Sequence, residues 1–247
     1  MSYFRHQARE YAEFRPDYPE ELFQFAASLV RRHDLAWDCA TGSGQAATQL
    51  AKYFARVIAT DISAEQIANA HAHAGVEYRV APAECSGLPD AAANLITVCQ
   101  ALHWLDRPRF FAEARRVLAP GGALIATVYG DAQVAGDERL DAMLQRFNKQ
   151  TMGEYWPLNR GLVDELYAGI EFPFRLLPAP QLTMTKQWTR AQLAGYLRSW
   201  SATARYVQRH GKDPVANFER EMQHGWNEAC ERREIRWPFR IFAGRVE

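Results

Sequence analysis

The sequence predicts an α/β fold, a mostly parallel sheet with helices on both faces. Short apolar runs at 56–60, 76–81, 94–100 and 123–129 fit strands buried on both sides. Segments with helical spacing of apolar residues alternate with those runs, the rhythm of a sheet covered on both faces. A turn rich in small residues, TGSG at 41–44, follows the first short apolar stretch and leads into a helix.

In chain order, residues 1–36 predict an arm and a helix. YAEFRPDYP at 11–19 is aromatic and proline-containing, which suits an irregular arm, and 19–31 places Leu22, Phe25, Ala26, Leu29 and Val30 on one helical face. The segment 37–130 predicts a ligand-binding core. A strand ends at Asp38, a helix covers 45–54, and a strand covers 56–60. SAEQIANAHAHA at 63–74 reads as helix, with Ser63 and Gln66 spaced for a capping box. Strands at 76–81 and 94–100, a helix over 108–118, a turn at Pro120–Gly121–Gly122 and a fifth strand complete the core.

The rhythm changes over 131–234, which predicts a helical and aromatic cap. Two helices should flank GEYWP between 139 and 170, followed by strand-like FPFRLL and QLTMT. Helical material from Thr189 to about Arg209 and a helix over 214–230 follow. A terminal strand closes 235–247, with Pro238 marking an edge or a break. No internal repeat or linker separates these parts, so a single domain over 1–247 is expected.

Composition narrows the function. The 247 residues carry 29 basic and 29 acidic side chains, which gives no general attraction to nucleic acid or anionic membranes. No apolar run approaches the ~20 residues that span a bilayer. Cys39, Cys85, Cys99 and Cys230 form no CxxC pair, and the cysteine and histidine spacing lacks a local zinc pattern, so no metal is expected. The expectation is a reduced, cytoplasmic protein, monomer or homodimer.

Gly42 and Gly44 can adopt angles that side chains forbid and leave room beside the chain, although any tight strand–helix turn can use two glycines. Asp61, at the end of the second strand, should reach the same edge of the sheet and accept hydrogen bonds from ribose hydroxyls; a cap on the next helix is the plainer alternative. Ala83–Glu84 and Cys99–Gln100 end the third and fourth strands at that edge. GSGQAA also satisfies the dinucleotide fingerprint G-x-G-x-x-A, so an NAD-dependent oxidoreductase stays as an alternative. Against it stand the ~35 residues before the first strand, the negative charge of Asp38 beside a would-be pyrophosphate, and the missing second mononucleotide half.

With Asp38-Cys39-Ala40-Thr41-Gly42-Ser43-Gly44, Asp61 and Leu118-Ala-Pro-Gly-Gly122 in this order, the chain resembles the class I S-adenosylmethionine-dependent methyltransferases. The resemblance covers residues 37–128 and implies a Rossmann-like seven-stranded sheet with an antiparallel C-terminal strand. It implies that the glycine loop, with Ala40 and Thr41, wraps the methionine part of S-adenosylmethionine, and that Asp38 orients it directly or through water. Asp61 with Ile62 would hold the ribose, and Ala83–Glu84 would border the adenine. The family usually has glycine where Ala40 stands, which costs the turn some room. S-adenosylhomocysteine would be the product. A narrower likeness, in 11–22, 100–106 and 196–202, is to small-molecule enzymes related to the fungal trans-aconitate methyltransferase. There the arm, here Tyr11 and Arg15, covers the cofactor, and Gln100, Ala101, His103 and Trp104 border the cleft.

Methyl transfer from a sulfonium is an in-line displacement, so alignment and water exclusion dominate. A carboxylate acceptor needs no base, whereas a phenol, alcohol or amine can need one. His103 is the base candidate; a histidine making one hydrogen bond inside an apolar wall is the alternative. Tyr129, Tyr155, Trp156, Arg198 and Trp200 are the candidates for the small-molecule acceptor site, and an aromatic stripe holding the cap together is the competing reading. Arg15 either closes over a carboxylate or ties down the arm. A binding protein that has lost turnover is a further alternative.

Overall fold

The structure, a computed structural model, describes residues 14–226 and 231–246. The chain divides into two compact units. The first holds Tyr18–Tyr129, Leu162–Leu182 and residues 239–246; the second holds residues 14–17, Gly130–Gly161 and Thr183–Pro238.

In the first unit, helix α1 (Glu20–Ser28) leads to β1 (Leu35–Cys39), α2 (Gln45–Leu50), β2 (Arg56–Asp61), α3 (Ala64–Ala68), β3 (Val76–Val80) and β4 (Ala93–Cys99). Helix α4 (Arg107–Val117) and β5 (Leu118–Tyr129) follow. Later pieces, here β7 (Arg175–Leu177) and β10 (Phe239–Arg245), complete a seven-stranded sheet in the order β3-β2-β1-β4-β5-β10-β7. Strands β1 to β5 pair in parallel, while β10 runs antiparallel to both neighbours. β1, β2 and β4 present almost no exposed residue, as their apolar composition requires, whereas β3, expected to be buried on both sides, is the edge strand and is partly exposed along its whole length. One face packs under α1 and α2 through Leu22, Phe23, Ala26, Leu50 and Phe54, and the other under α4 through Phe110, Phe111, Ala114 and Val117.

Two local expectations differ. Pro120–Gly121–Gly122 is no turn ahead of a strand but a bulge within β5: Leu118 pairs with Ala93 and Ala123 already with Leu95, and Gly121 takes φ +78°. Helix α3 stops at Ala68, well short of residue 74. The Asn69 side chain turns back to the Glu65 carbonyl, and the His71 amide donates to Ser43, drawing the chain toward the turn after β1. Ser63 caps α3 as expected, accepting the Gln66 amide.

The second unit carries α5 (Glu138–Arg146), which runs on as a π-helical turn over Phe147–Thr151, then a 3-10 turn over Gly153–Tyr155, where GEYWP was expected as a loop. Helix α6 (Arg160–Asp164) crosses from this unit into the first. Helices α7 (Arg190–Arg198), α8 (Ser201–His210) and α9 (Val215–Met222) follow, α7 opened by a complete Thr189–Gln192 capping box. A small sheet joins β6 (Gln133–Val134), β9 (Arg233–Trp237) and β8 (Met184–Trp188). Pro238 divides the expected terminal strand between the two sheets, β9 in one and β10 in the other. Among the described residues, no helix is long and apolar enough to cross a membrane.

Candidate functional site

The carboxyl ends of the parallel strands meet the glycine turn. Beyond β1, Ala40 (φ +54°), Gly42 (φ +56°) and Gly44 (φ +81°) are all left-handed. The two glycines are required for different reasons. A side chain at Gly42 would meet nothing within 4 Å, so its Cα faces open space that a ligand can approach. At Gly44 a Cβ would lie 2.2 Å from the Tyr78 hydroxyl, so the backbone passes directly against that ring. Tyr78 in turn donates to the His71 carbonyl at 2.7 Å. Ala40 departs from the expectation of lost room: what it costs is a left-handed backbone that a side chain disfavours.

Asp61 stands on the rim of this turn. Its Oδ2 accepts the Gly42 amide at 2.9 Å and its Oδ1 the Ser63 amide at 2.8 Å. Each oxygen has a further lone pair, so the carboxylate can fasten the turn and still accept hydroxyl protons. Asp38 is placed differently. It is 1% exposed, and its oxygens accept the hydroxyls of Thr97 (2.7 Å) and Thr41 (2.5 Å). Thr97 is its register partner on β4, which draws the side chain behind the turn. Burial lifts its pKa to about 6, against the hydrogen bonds from Thr41 and Thr97 that lower it. Asp38 thus acts through the turn and through charge.

Ala83 is buried, and Glu84 accepts the Asp106 amide at 3.0 Å, fixing the start of α4. Gln100 is left-handed (φ +56°), and its side-chain amide grips the Tyr129 backbone at both ends, 3.0 and 2.7 Å. It therefore prolongs the β4–β5 ladder by one artificial rung. Ala101 is buried beneath a 3-10 turn over Leu102–Trp104. His103 in that turn is half-buried, with Nδ1 2.7 Å from the Tyr167 hydroxyl. The Tyr129 ring packs against Tyr18, centroids 6.4 Å apart. Ile62 and Trp104 are large apolar side chains left 76% and 56% exposed at this edge, the kind of surface that marks a ligand-binding rim.

The remaining candidates belong to the second unit. Arg15 lies over the Tyr196 ring and donates to the Ser199 carbonyl, contacts that fit a tie-down; Tyr11 lies outside the described residues. Arg198 is held by Asp213 and Glu219, both at 2.9 Å, on the side away from Tyr196. Trp200 is buried among Tyr196, Phe147 and Trp156. Trp156 also donates to Asn148 and carries Arg160 over its face at 4.1 Å. The Tyr155 hydroxyl is 2.6 Å from His210 Nε2. These contacts fit the structural stripe for Trp200 and Arg198. Tyr167 was missed by sequence reasoning, since it sits in no motif.

The residues present fit S-adenosylmethionine: an open glycine face, a rim carboxylate with lone pairs to spare, and a buried negative charge behind the turn that suits a cationic ligand. Comparison with known proteins agrees. A family model described as a methyltransferase domain matches residues 37–126. A protein of known structure from Anaeromyxobacter dehalogenans, described as a candidate type II methyltransferase, is 39% identical with a TM-score of 0.85, covering 94% of this chain and 98% of that one. A candidate methyltransferase of Dictyostelium discoideum is 35% identical over 214 residues, 86% of this chain and 81% of its own length. The chain belongs to the class I S-adenosylmethionine-dependent methyltransferases.

This methyltransferase uses S-adenosylmethionine and releases S-adenosylhomocysteine, and the NAD-dependent alternative falls with that assignment. Its sheet order, with one antiparallel strand set between β5 and β7, is one that a two-fold dinucleotide fold lacks. Methyltransferase pgmE of Aspergillus terreus is 29% identical over 136 residues, 49% of this methyltransferase and 41% of that longer relative.

Proposed function

We propose that this methyltransferase methylates an oxygen of a small-molecule acceptor, a carboxylate before a phenol or alcohol. The carrying observation is the Asp61–Gly42 pair, which sets a carboxylate with lone pairs to spare and an open backbone face on one rim. When bound, S-adenosylmethionine supplies a methyl group on a positively charged sulfur, open to in-line displacement. Asp61 would hold the ribose hydroxyls, with exposed Ile62 beside the base. The ionised Asp38 would favour the cationic end of the ligand through the turn. Gln100 keeps the ends of β4 and β5 in register, so that His103 and Trp104 are presented from a rigid edge.

The narrower likeness in the His103–Trp104 segment and the arm supports a small oxygen acceptor, since some members of that subgroup methylate carboxylates. Because a carboxylate arrives already ionised, the protein's task reduces to orientation and exclusion of water. The test is transfer of an isotope-labelled methyl group from S-adenosylmethionine into fractionated metabolites, followed by alkaline treatment. Base-labile label in an acid fraction is expected. Label confined to amines, or stable ether label alone, would defeat the carboxylate reading.

A further inference from the structure

We infer that Tyr167 is a positioning residue for His103: its hydroxyl donates to Nδ1 and holds the imidazole with its proton on Nε2, a donor and not a base. Both residues belong to the first unit, 64 positions apart in sequence, and meet at 2.7 Å. The tyrosine is fully buried, and its ring also packs on the imidazole, centroids 5.8 Å apart.

The direction of the proton follows from the surroundings of the phenol. A hydroxyl has one proton to give and two lone pairs to receive with. Among the described residues, Nδ1 of His103 is the acceptor within hydrogen-bond reach of this fully buried hydroxyl, and a buried O–H left without an acceptor is costly. Burial also pushes the phenol well above its ordinary pKa, so it keeps that proton at neutral pH. Nδ1 must therefore accept it. A neutral imidazole that accepts at Nδ1 carries its proton on Nε2.

The backbone adds a second observation. Leu166 (φ +48°) and Tyr167 (φ +59°) are consecutive left-handed residues without glycine just past α6. Side chains disfavour this conformation at each of the two positions. Strain of this kind persists where the surroundings over-determine it, often at functional sites. Here it turns the Tyr167 side chain inward to the ring of His103.

Resting on the methyl-transfer reading, this narrows the acceptor. The one lone pair of His103 is engaged, so the imidazole does not remove a proton, and the acceptor must be nucleophilic as it arrives. A carboxylate oxygen, already ionised, meets that demand.

The test is a long-range ¹⁵N–¹H correlation on the full chain labelled with ¹⁵N-histidine, His103 being assigned through His103→Gln. We expect an unprotonated Nδ1, whose resonance moves toward that of a non-hydrogen-bonded nitrogen in Tyr167→Phe. S-adenosylhomocysteine affinity, read by calorimetry, should stay within about twofold, because the ring of Tyr167 remains. With the acceptor recovered from the labelling assay, kcat of Tyr167→Phe should fall about tenfold with KM for S-adenosylmethionine unchanged. His103→Gln, which keeps a donor, should exceed His103→Ala. A proton on Nδ1, an Nδ1 resonance indifferent to Tyr167→Phe, or a glutamine variant as inactive as alanine would overturn the inference. Failure of S-adenosylhomocysteine to bind the unmutated protein would instead sink the methyl-transfer reading, and the nitrogen spectrum would still decide the role of Tyr167.

Discussion

The amide of Gly42 donates to Oδ2 of Asp61 at 2.9 Å across nineteen positions of sequence. One carboxylate thereby sets the shape of the glycine turn and, on the function proposed above, would also hold the ribose. Replacing Asp61 by alanine removes both functions. We expect S-adenosylmethionine affinity to fall by about 1–3 kcal/mol, with Asp61→Asn, which keeps one acceptor oxygen, falling less. Calorimetry that finds equal affinity in all three proteins would show that the ribose is held elsewhere.

Asp38 gives a pH signature whose sign is fixed by its raised pKa, about 6 against 3.8. The folded state prefers the protonated acid, so its favourable contribution is complete below about pH 3.8 and fades as pH rises through about 6. Above that the ionised form costs about 3 kcal/mol relative to the acid. Asp38→Asn cannot ionise. Its stability relative to the native protein should therefore climb between pH 4 and 7 and then level off, as read by urea denaturation. A difference that stays flat with pH would mean that Asp38 is better solvated than its burial implies.

The same carboxylate couples to the ligand. A cation bound beyond the turn favours the ionised form, so S-adenosylmethionine should release protons on binding below about pH 6 and bind more weakly there. Calorimetry in two buffers of different ionisation enthalpy measures that proton release directly. A buffer-independent heat at pH 5.5 would uncouple Asp38 from the site.

Ala40 is left-handed (φ +54°), a conformation that glycine adopts at no steric cost. Relief of that strain outweighs the added freedom of the unfolded chain, so Ala40→Gly should stabilise the protein by about 0.5–1 kcal/mol. Thermal unfolding would register this as a modest rise in Tm; a fall would mean that the methyl group packs better than the backbone suffers.

Much of the first unit was legible because its signals are local. Apolar runs announced β1, β2 and β4, two glycines announced the turn, and the offset of Asp61 announced a carboxylate on its rim. What was not legible depends on contacts between distant segments. Arg198 resembles a free cation until Asp213 and Glu219 arrive from beyond α8. Trp200 resembles a pocket wall until Phe147 and Trp156 cover it. Tyr167 has no spacing that links it to His103, because a strained turn brings the two together. Asp38 lay at the right place in the sequence, but its register opposite Thr97, which turns it inward, is a property of strand pairing.

Pro238 ends β9, and the residues after it form β10, which lies between β5 and β7 and not at the rim of the sheet. β10 is therefore synthesised after both of the strands it joins. Until it emerges, β5 has no partner on one flank, a long apolar ribbon open to mispairing with another nascent copy. Translation speed and chaperone supply before β10 emerges, more than the intrinsic stability of the finished sheet, should govern how much folded enzyme a cell or an expression host recovers.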